Sequence, residues 1–91
     1  MRFSWDEDKA LTNLRDHEVS FEEAEAVFDD PLAIDIPDDR FKEARFSIYG
    51  EAKPGRLLVV AYTMRGNTIH IITAREMEPK EKRKYANRPR Q

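Results

Sequence analysis

Residues 57–75 read LLVVAYTMR (57–65), GN (66–67) and TIHIITAR (68–75). Two runs rich in β-branched and aromatic residues flank Gly66-Asn67, which is the composition of a tight β-hairpin. Leu57 to Ala61 is an almost unbroken apolar run, as a strand buried on both faces would be. This hairpin is read as the centre of a sheet. Each arm carries a cation near its end, Arg65 beside the turn and Arg75 at the close of the second strand. An arginine fixed on a sheet is a rigid fork of donors suited to phosphate. A two-residue turn pairs Arg65 with Thr68 and puts Arg65 and Arg75 on opposite faces. A three-residue loop with a bulge brings both onto one face. Sequence leaves the two registers open.

Upstream of the hairpin, Leu32–Ile36 and Phe41–Tyr49 read as strands, separated by Pro37-Asp38-Asp39. Gly50 to Gly55, with Lys53-Pro54, reads as the loop into the hairpin. Four strands between residues 32 and 75 with short connections predict an antiparallel meander. Phe3 and Trp5 alternate with Arg2 and Ser4, a short edge-strand pattern. Asp6 and Glu7 then open a helix to about Asp16, with acids in its first turn. Lys9, Asn13 and His17 stand four apart and form one polar stripe. Ser20-Phe21-Glu22-Glu23 is a capping box, with Val19 placed to staple against Ala24. The helix it starts buries Phe21, Ala24, Val27 and Phe28 and turns Glu22, Glu23 and Glu25 to solvent. Pro79 at a first helical position predicts a short C-terminal helix.

The 91 residues make one small domain, with a basic tail from about residue 86. The chain has no cysteine, so a disulfide frame and a thiolate metal site are excluded. No apolar run reaches membrane length, and a cytoplasmic location is the default expectation. Residues 1–43 carry 14 acids against 5 bases, and residues 44–91 carry 4 against 11. Net charges of −9 and +7 predict a basic surface for a polyanion opposite an acidic one. Residues 80–90 hold six bases against one acid, with Tyr85 interleaved, a composition able to meet nucleic acid through phosphate attraction and stacking.

Two histidines 53 positions apart offer no metal-ligand spacing, and no phosphate-binding glycine loop, G-x-S-x-G or dinucleotide fingerprint occurs. No cofactor and no metal are expected. What remains is a set of Lys, Arg, His, Glu and Tyr side chains on a sheet and its flanking helices. That set suits cleavage of RNA by its own 2′-hydroxyl. The reaction needs a base for the 2′ proton, cations for the phosphorane charge and an acid for the leaving 5′ oxygen.

Taken in order, the motifs resemble the BrnT family of type II toxin–antitoxin toxins, also called DUF497. The matching residues are Trp5-Asp6-Glu7, Lys9, Asn13 and His17; Val19 to Ala24; Val27-Phe28; and Asp30-Pro31. They continue through Glu43-x-Arg45, Gly50, Leu57 to Val60, Thr63-x-Arg65, Ile71 to Arg75 and Glu81-x-Arg83-x-Tyr85. Glu18 stands where the family commonly has glycine, and Asp16 where lysine is frequent. The resemblance implies an α+β, RelE-like fold, with two N-terminal helices on a curved four-stranded, mainly antiparallel sheet and a short C-terminal helix. It also implies a ribonuclease that stops translation, and a BrnA-like ribbon-helix-helix antitoxin through which operator DNA is reached. Candidate catalytic residues carried onto this sequence are Lys9, His17, Glu43, Arg65, Arg75 and Tyr85, with Arg45, Lys82 and Arg83 as RNA-binding candidates. In this assignment Arg65 and Arg75 clamp the phosphate, and Glu43 or His17 is the base. His17, Lys9 or Tyr85 then serves the leaving group or steadies charge. The competing reading is a non-catalytic module of the same fold that binds protein or nucleic acid.

Overall fold

From the N-terminus the chain forms β1 (Arg2–Ser4), α1 (Glu7–His17) and α2 (Phe21–Glu25), the last running into a 3₁₀ turn at Ala26–Asp29. It continues with β2 (Ile34–Asp38), β3 (Arg45–Lys53), β4 (Arg56–Arg65), β5 (Thr68–Glu76) and α3 (Pro79–Ala86). The structure is a computed structural model and describes residues 1–87. The basic tail expected from residue 86 thus falls, from residue 88 on, outside the described residues.

The sheet has five strands in the order β1-β5-β4-β3-β2, one more than the four expected, and β2 to β5 form the expected antiparallel meander. The added strand is β1, which pairs parallel to β5 through only three residues. The alternation of Arg2, Phe3 and Ser4 marks this edge strand in the sequence, but not the strand it pairs with or its parallel direction. β4 is central, and Leu58, Val59 and Val60 are all buried. β2 starts two residues later than expected and runs through Pro37, which an edge strand tolerates. β3 starts later, at Arg45, and continues through Gly50 to Lys53. Gly50 marks a close approach, not a loop: a Cβ there would lie 2.8 Å from Val27 Cγ1 and 3.1 Å from Asp30 Oδ2.

The hairpin register combines parts of both alternatives. Arg65 pairs with Thr68 across a two-residue turn in which Gly66 has φ +62° and Asn67 stays negative, the pattern of type II′. Tyr62 then faces Ile71 while Ala61 faces Thr73, so Ile72 is an extra residue. This bulge within β5 resets the alternation and returns Arg75 to the face of Arg65.

One face of the sheet holds the core. Leu58, Val60 and Tyr62 from β4 meet Ile69, Ile71 and Ala74 from β5. Val19, Phe21, Ala24 and Val27 close over them. Phe28 and Phe46 pack on the Tyr62 ring at centroid distances of 5.0 and 5.4 Å. Glu23 is not part of a solvated face: Arg56 donates to both its oxygens, at 3.0 and 3.2 Å, and also to the Glu18 carbonyl at 2.8 Å. This fork pins the α1–α2 junction to the sheet. Ser20 caps α2 by accepting from Glu23 N at 3.0 Å, as its motif predicts.

α1 starts at Asp6, whose side chain accepts from the amides of Asp8 and Lys9. It ends at Glu18 in the left-handed conformation, φ +58°. A side chain there costs about 1 kcal/mol that glycine avoids. Glu18→Gly is therefore expected to stabilise the fold by up to about 0.5 kcal/mol after its greater unfolded-state entropy is counted. A thermal melt checks this, with a rise in Tm of a few degrees expected.

Asn13, the middle of the polar stripe, is buried. Its amide donates to the carbonyls of Val19 at 2.9 Å and Ala74 at 2.8 Å, and its oxygen accepts from Ala74 N at 3.0 Å. Past the end of β1, no strand among the described residues neighbours the edge of β5, and the Asn13 amide takes the place of one. This is a structural role.

Candidate active site

The strand register fixes what shares the face opposite the core. Ser4 is level with His70, His70 with Thr63, Thr63 with Arg45, and Arg45 with Asp38. These five side chains form one row across all five strands. Arg65 lies one step along β4, toward the hairpin. The face opposite the core is thus polar at its hairpin end, where cations gather, while Ile34, Ile36 and Val59 stand farther along it, toward the end where α3 docks.

His70 is the centre of this arrangement. Its Nδ1 lies 2.8 Å from Ser4 Oγ. Its pKa is held below the usual histidine value, by burial first and then by the Arg65 charge, with Lys9 adding in the same direction. Glu43 and Asp6 act in the opposite sense. The ring is therefore neutral near pH 7 while standing among charges of both signs. Four elements contribute: β5 the imidazole, β4 Arg65, the β2–β3 loop Glu43, and the start of α1 Lys9 and Asp6. Thr63 ties the loop down by donating its hydroxyl to the Ala44 carbonyl.

Arg45 stacks its guanidinium 4.0 Å from the Phe41 ring centroid and stands 3.7 Å from Glu43 through Nε. That Nε is buried without a hydrogen-bond partner among the described residues. Closed off from solvent, this Nε faces the Glu43 carboxylate, so a phosphate would meet the accessible part of the guanidinium.

Beside this row runs an open groove of about 510 Å³ between α1 and the bulge of β5. Asp6, Lys9, Thr12, Asp16, His17 and Thr73 line it. Lys9 belongs both to the groove and to the surroundings of His70. His17 is at the other end of α1, two turns or about 12 Å from Lys9 along the helix. Asp16, at the groove, is paired with Arg15 at 2.9 Å.

Arg75 shares the polar face but not the row. Its ladder partner is Val59, six residues from Arg65 along β4, which is roughly 20 Å at strand rise. Its guanidinium is bidentate to Glu81 of α3, with both contacts at 2.7 Å. Tyr85 donates to Asp30 Oδ2 at 2.6 Å, and Asp30 Oδ2 also accepts from Glu51 N at 2.9 Å. Arg75 and Tyr85 therefore dock α3, and Lys82 and Arg83 are exposed along it. Of the residues singled out from sequence, Lys9, Glu43, Arg45 and Arg65 come together. His17 adjoins them through the groove, and Arg75, Tyr85, Lys82 and Arg83 lie with α3.

Sequence reasoning left out His70, Ser4 and Thr63. The alternation Thr68, His70 in β5 and Arg2, Ser4 in β1 put them on a non-core face, but only the parallel register brings Ser4 to His70. Among the described residues, no three His, Asp or Glu side chains are grouped as a metal site requires. No helix among them is long and apolar enough to cross a membrane.

Glu81 also accepts from Glu78 N at 2.8 Å, and the Arg75 contact holds its carboxyl below the usual range. Glu81→Gln keeps a capping acceptor and removes the charge. Amide hydrogen exchange in α3 is expected to quicken by about fivefold, the equivalent of about 1 kcal/mol of local stability.

The sequence model of one protein family, described as "Ribonuclease toxin, BrnT, of type II toxin-antitoxin system", matches residues 5–81. Among solved structures, the 1.1 Å crystal structure of the Brucella abortus ribonuclease toxin BrnT matches with a TM-score of 0.71. The two sequences are 23% identical, and the match covers 86% of this chain and 97% of that one. At that identity the likeness speaks for the fold. No curated protein matches the chain.

Proposed function

The chain belongs to the BrnT family of ribonuclease toxins of type II toxin–antitoxin systems, and on that premise we propose that it cuts RNA on the polar face of its sheet, without a metal ion, by attack of the 2′-hydroxyl. The observation that carries this reading is the gathering of Arg65, Lys9 and Glu43 around His70, with Arg45 in the same row. Arg65 and Lys9 are exposed and Arg45 is half-buried, and cations brought to one place by the fold stabilise the charge that develops on a phosphorane. Arg65 and Arg45 bind the scissile phosphate from neighbouring strands, the latter with the accessible part of its guanidinium. Lys9 faces the same oxygens from α1 and is placed to protonate the leaving 5′ oxygen. Glu43 holds Arg45 in position and balances the local charge.

In this account residues 1–91 act as one cytoplasmic domain, cleavage of cellular RNA stops translation, and a BrnA-like ribbon-helix-helix antitoxin neutralises the toxin. Operator DNA is met only through that antitoxin. The exposed Lys82 and Arg83 extend RNA binding along α3, and His17 meets the flanking nucleotide in the groove. Arg75 and Tyr85 act indirectly, through the docking of α3.

The test is incubation of purified protein with RNA in EDTA, with analysis of the product ends. Scission leaving 2′,3′-cyclic phosphate and 5′-hydroxyl ends is the expected result. Salt-sensitive RNA retention with no scission at any protein concentration would leave the chain a binding module of this fold.

A further inference from the structure

We propose that His70 is the proton-transfer residue of this site and that Ser4 is its positioning residue, holding the ring through Nδ1 so that Nε2 takes the 2′ proton. The inference deepens the RNA-cleavage reading and rests on it. Its geometric basis is the one place where β1 enters the sheet. Arg2, Phe3 and Ser4 pair in parallel with Thr68, Ile69 and His70. Phe3 turns to the core and meets the Phe28 ring edge-on at 5.3 Å. That contact fixes the strand and leaves Ser4 on the opposite face, 2.8 Å from His70 Nδ1. The Ser4 hydroxyl can accept from Nδ1–H, and Nε2 makes no hydrogen bond to the described residues. A ring with hydrogen on Nδ1 has its lone pair on Nε2, which is the form a general base requires.

The rival groups are less well placed. Glu43 is engaged with Arg45 at 3.7 Å. His17 lies two helical turns from Lys9, beyond the row of cations. Tyr85 is committed to Asp30. Arg65 of β4 and Lys9 of α1 are the two cations whose charge reaches His70, and they would hold the phosphate beside it. Glu43 from the β2–β3 loop and Asp6 before α1 complete its charged surroundings.

The proton balance closes within these groups. His70 Nε2 removes the 2′-hydroxyl proton as the 2′ oxygen bonds to phosphorus. The P–O5′ bond then breaks with its electron pair on the 5′ oxygen, which takes a proton from the Lys9 ammonium. Solvent then restores both groups. The acid limb of the rate profile follows His70. Cleavage rises with pH as the imidazole loses its proton, with a midpoint below 6.5, the ordinary value from which burial and Arg65 displace it.

The experiment combines single-turnover cleavage of a defined RNA across pH, binding of its uncleavable 2′-O-methyl analogue, and ¹⁵N NMR of the His70 ring. His70→Ala is expected to slow cleavage by about 10²-fold or more while analogue binding changes by less than about threefold. Ser4→Ala is expected to cost about tenfold, shift the acid limb and mix the ring tautomers, and Ser4→Thr to restore most of the loss. Wild-type protein should show hydrogen on Nδ1 and a bare Nε2. Undiminished cleavage by His70→Ala, or a wild-type ring protonated at Nε2, overturns the assignment while the ribonuclease reading stands. A wild-type protein that binds the analogue and cleaves nothing overturns both.

Discussion

Removing both phosphate-facing arginines, by Arg65→Ala with Arg45→Ala, is expected to lower RNA cleavage by about 10²- to 10³-fold, with the fold intact. The scale is that of deleting a preorganised donor aimed at developing oxyanion charge, about 3–4 kcal/mol. Neither side chain supports the core: Arg65 is exposed, and Arg45 contacts Phe41 and Glu43 on the polar face. Arg45 carries the larger structural cost because its stack on Phe41 helps order the loop that presents Glu43. The comparison variant is Arg75→Ala, which undocks Glu81 at the far end of the same face and should cost cleavage less than either single change. Single-turnover rates at saturating RNA check this ranking. Equal losses from Arg75→Ala and Arg65→Ala would mean that the two arginines act at one phosphate despite a separation of roughly 20 Å along β4.

The largest stability effect belongs to Asn13. Its side chain makes three hydrogen bonds to backbone groups buried at the β5 edge and the α1–α2 junction. Asn13→Ala leaves Ala74 N–H, Ala74 C=O and Val19 C=O without that partner. With partial rescue by water, the cost is about 3 kcal/mol. In a domain of this size that lowers Tm by on the order of 15 °C. Asn13→Asp should be worse, because it keeps the acceptor for Ala74 N–H but sets an anion against two carbonyl oxygens. Glu18→Gly, in the same segment, moves Tm the other way, so melts of the three variants separate the two roles.

The hairpin was legible because its chemistry is local: β-branched runs, a Gly-Asn turn and an apolar centre together define a buried central strand. The Ser20 cap was legible for the same reason. What escaped depends on register and on distant partners. Ile72 looks like any β5 residue until Ala61 and Tyr62 are paired across from it, and the bulge there decides which face Arg75 occupies. Gly50 to Lys53 read as loop, whereas β3 continues through them to the Pro54-Gly55 turn, and the 3₁₀ turn leaves no room for a Cβ at Gly50. Asn13 read as one third of a polar stripe, because helical spacing cannot show that a strand edge lies opposite. His70 read as an alternating strand residue for want of Ser4, which is 66 positions away. The family resemblance still pointed to Lys9, Glu43, Arg45 and Arg65 as site candidates, and the fold brings their strands and loops to one area.

The most direct measurement is NMR mapping of an uncleavable 2′-O-methyl oligonucleotide on the ¹⁵N-labelled protein. Perturbations centred on Ser4, Thr63, Arg65 and His70, weakening toward Phe21 and Ala24 on the core side, are the result this account predicts. Perturbations confined to α3 or to the helical side, with the Ser4–His70 row unmoved, would contradict it.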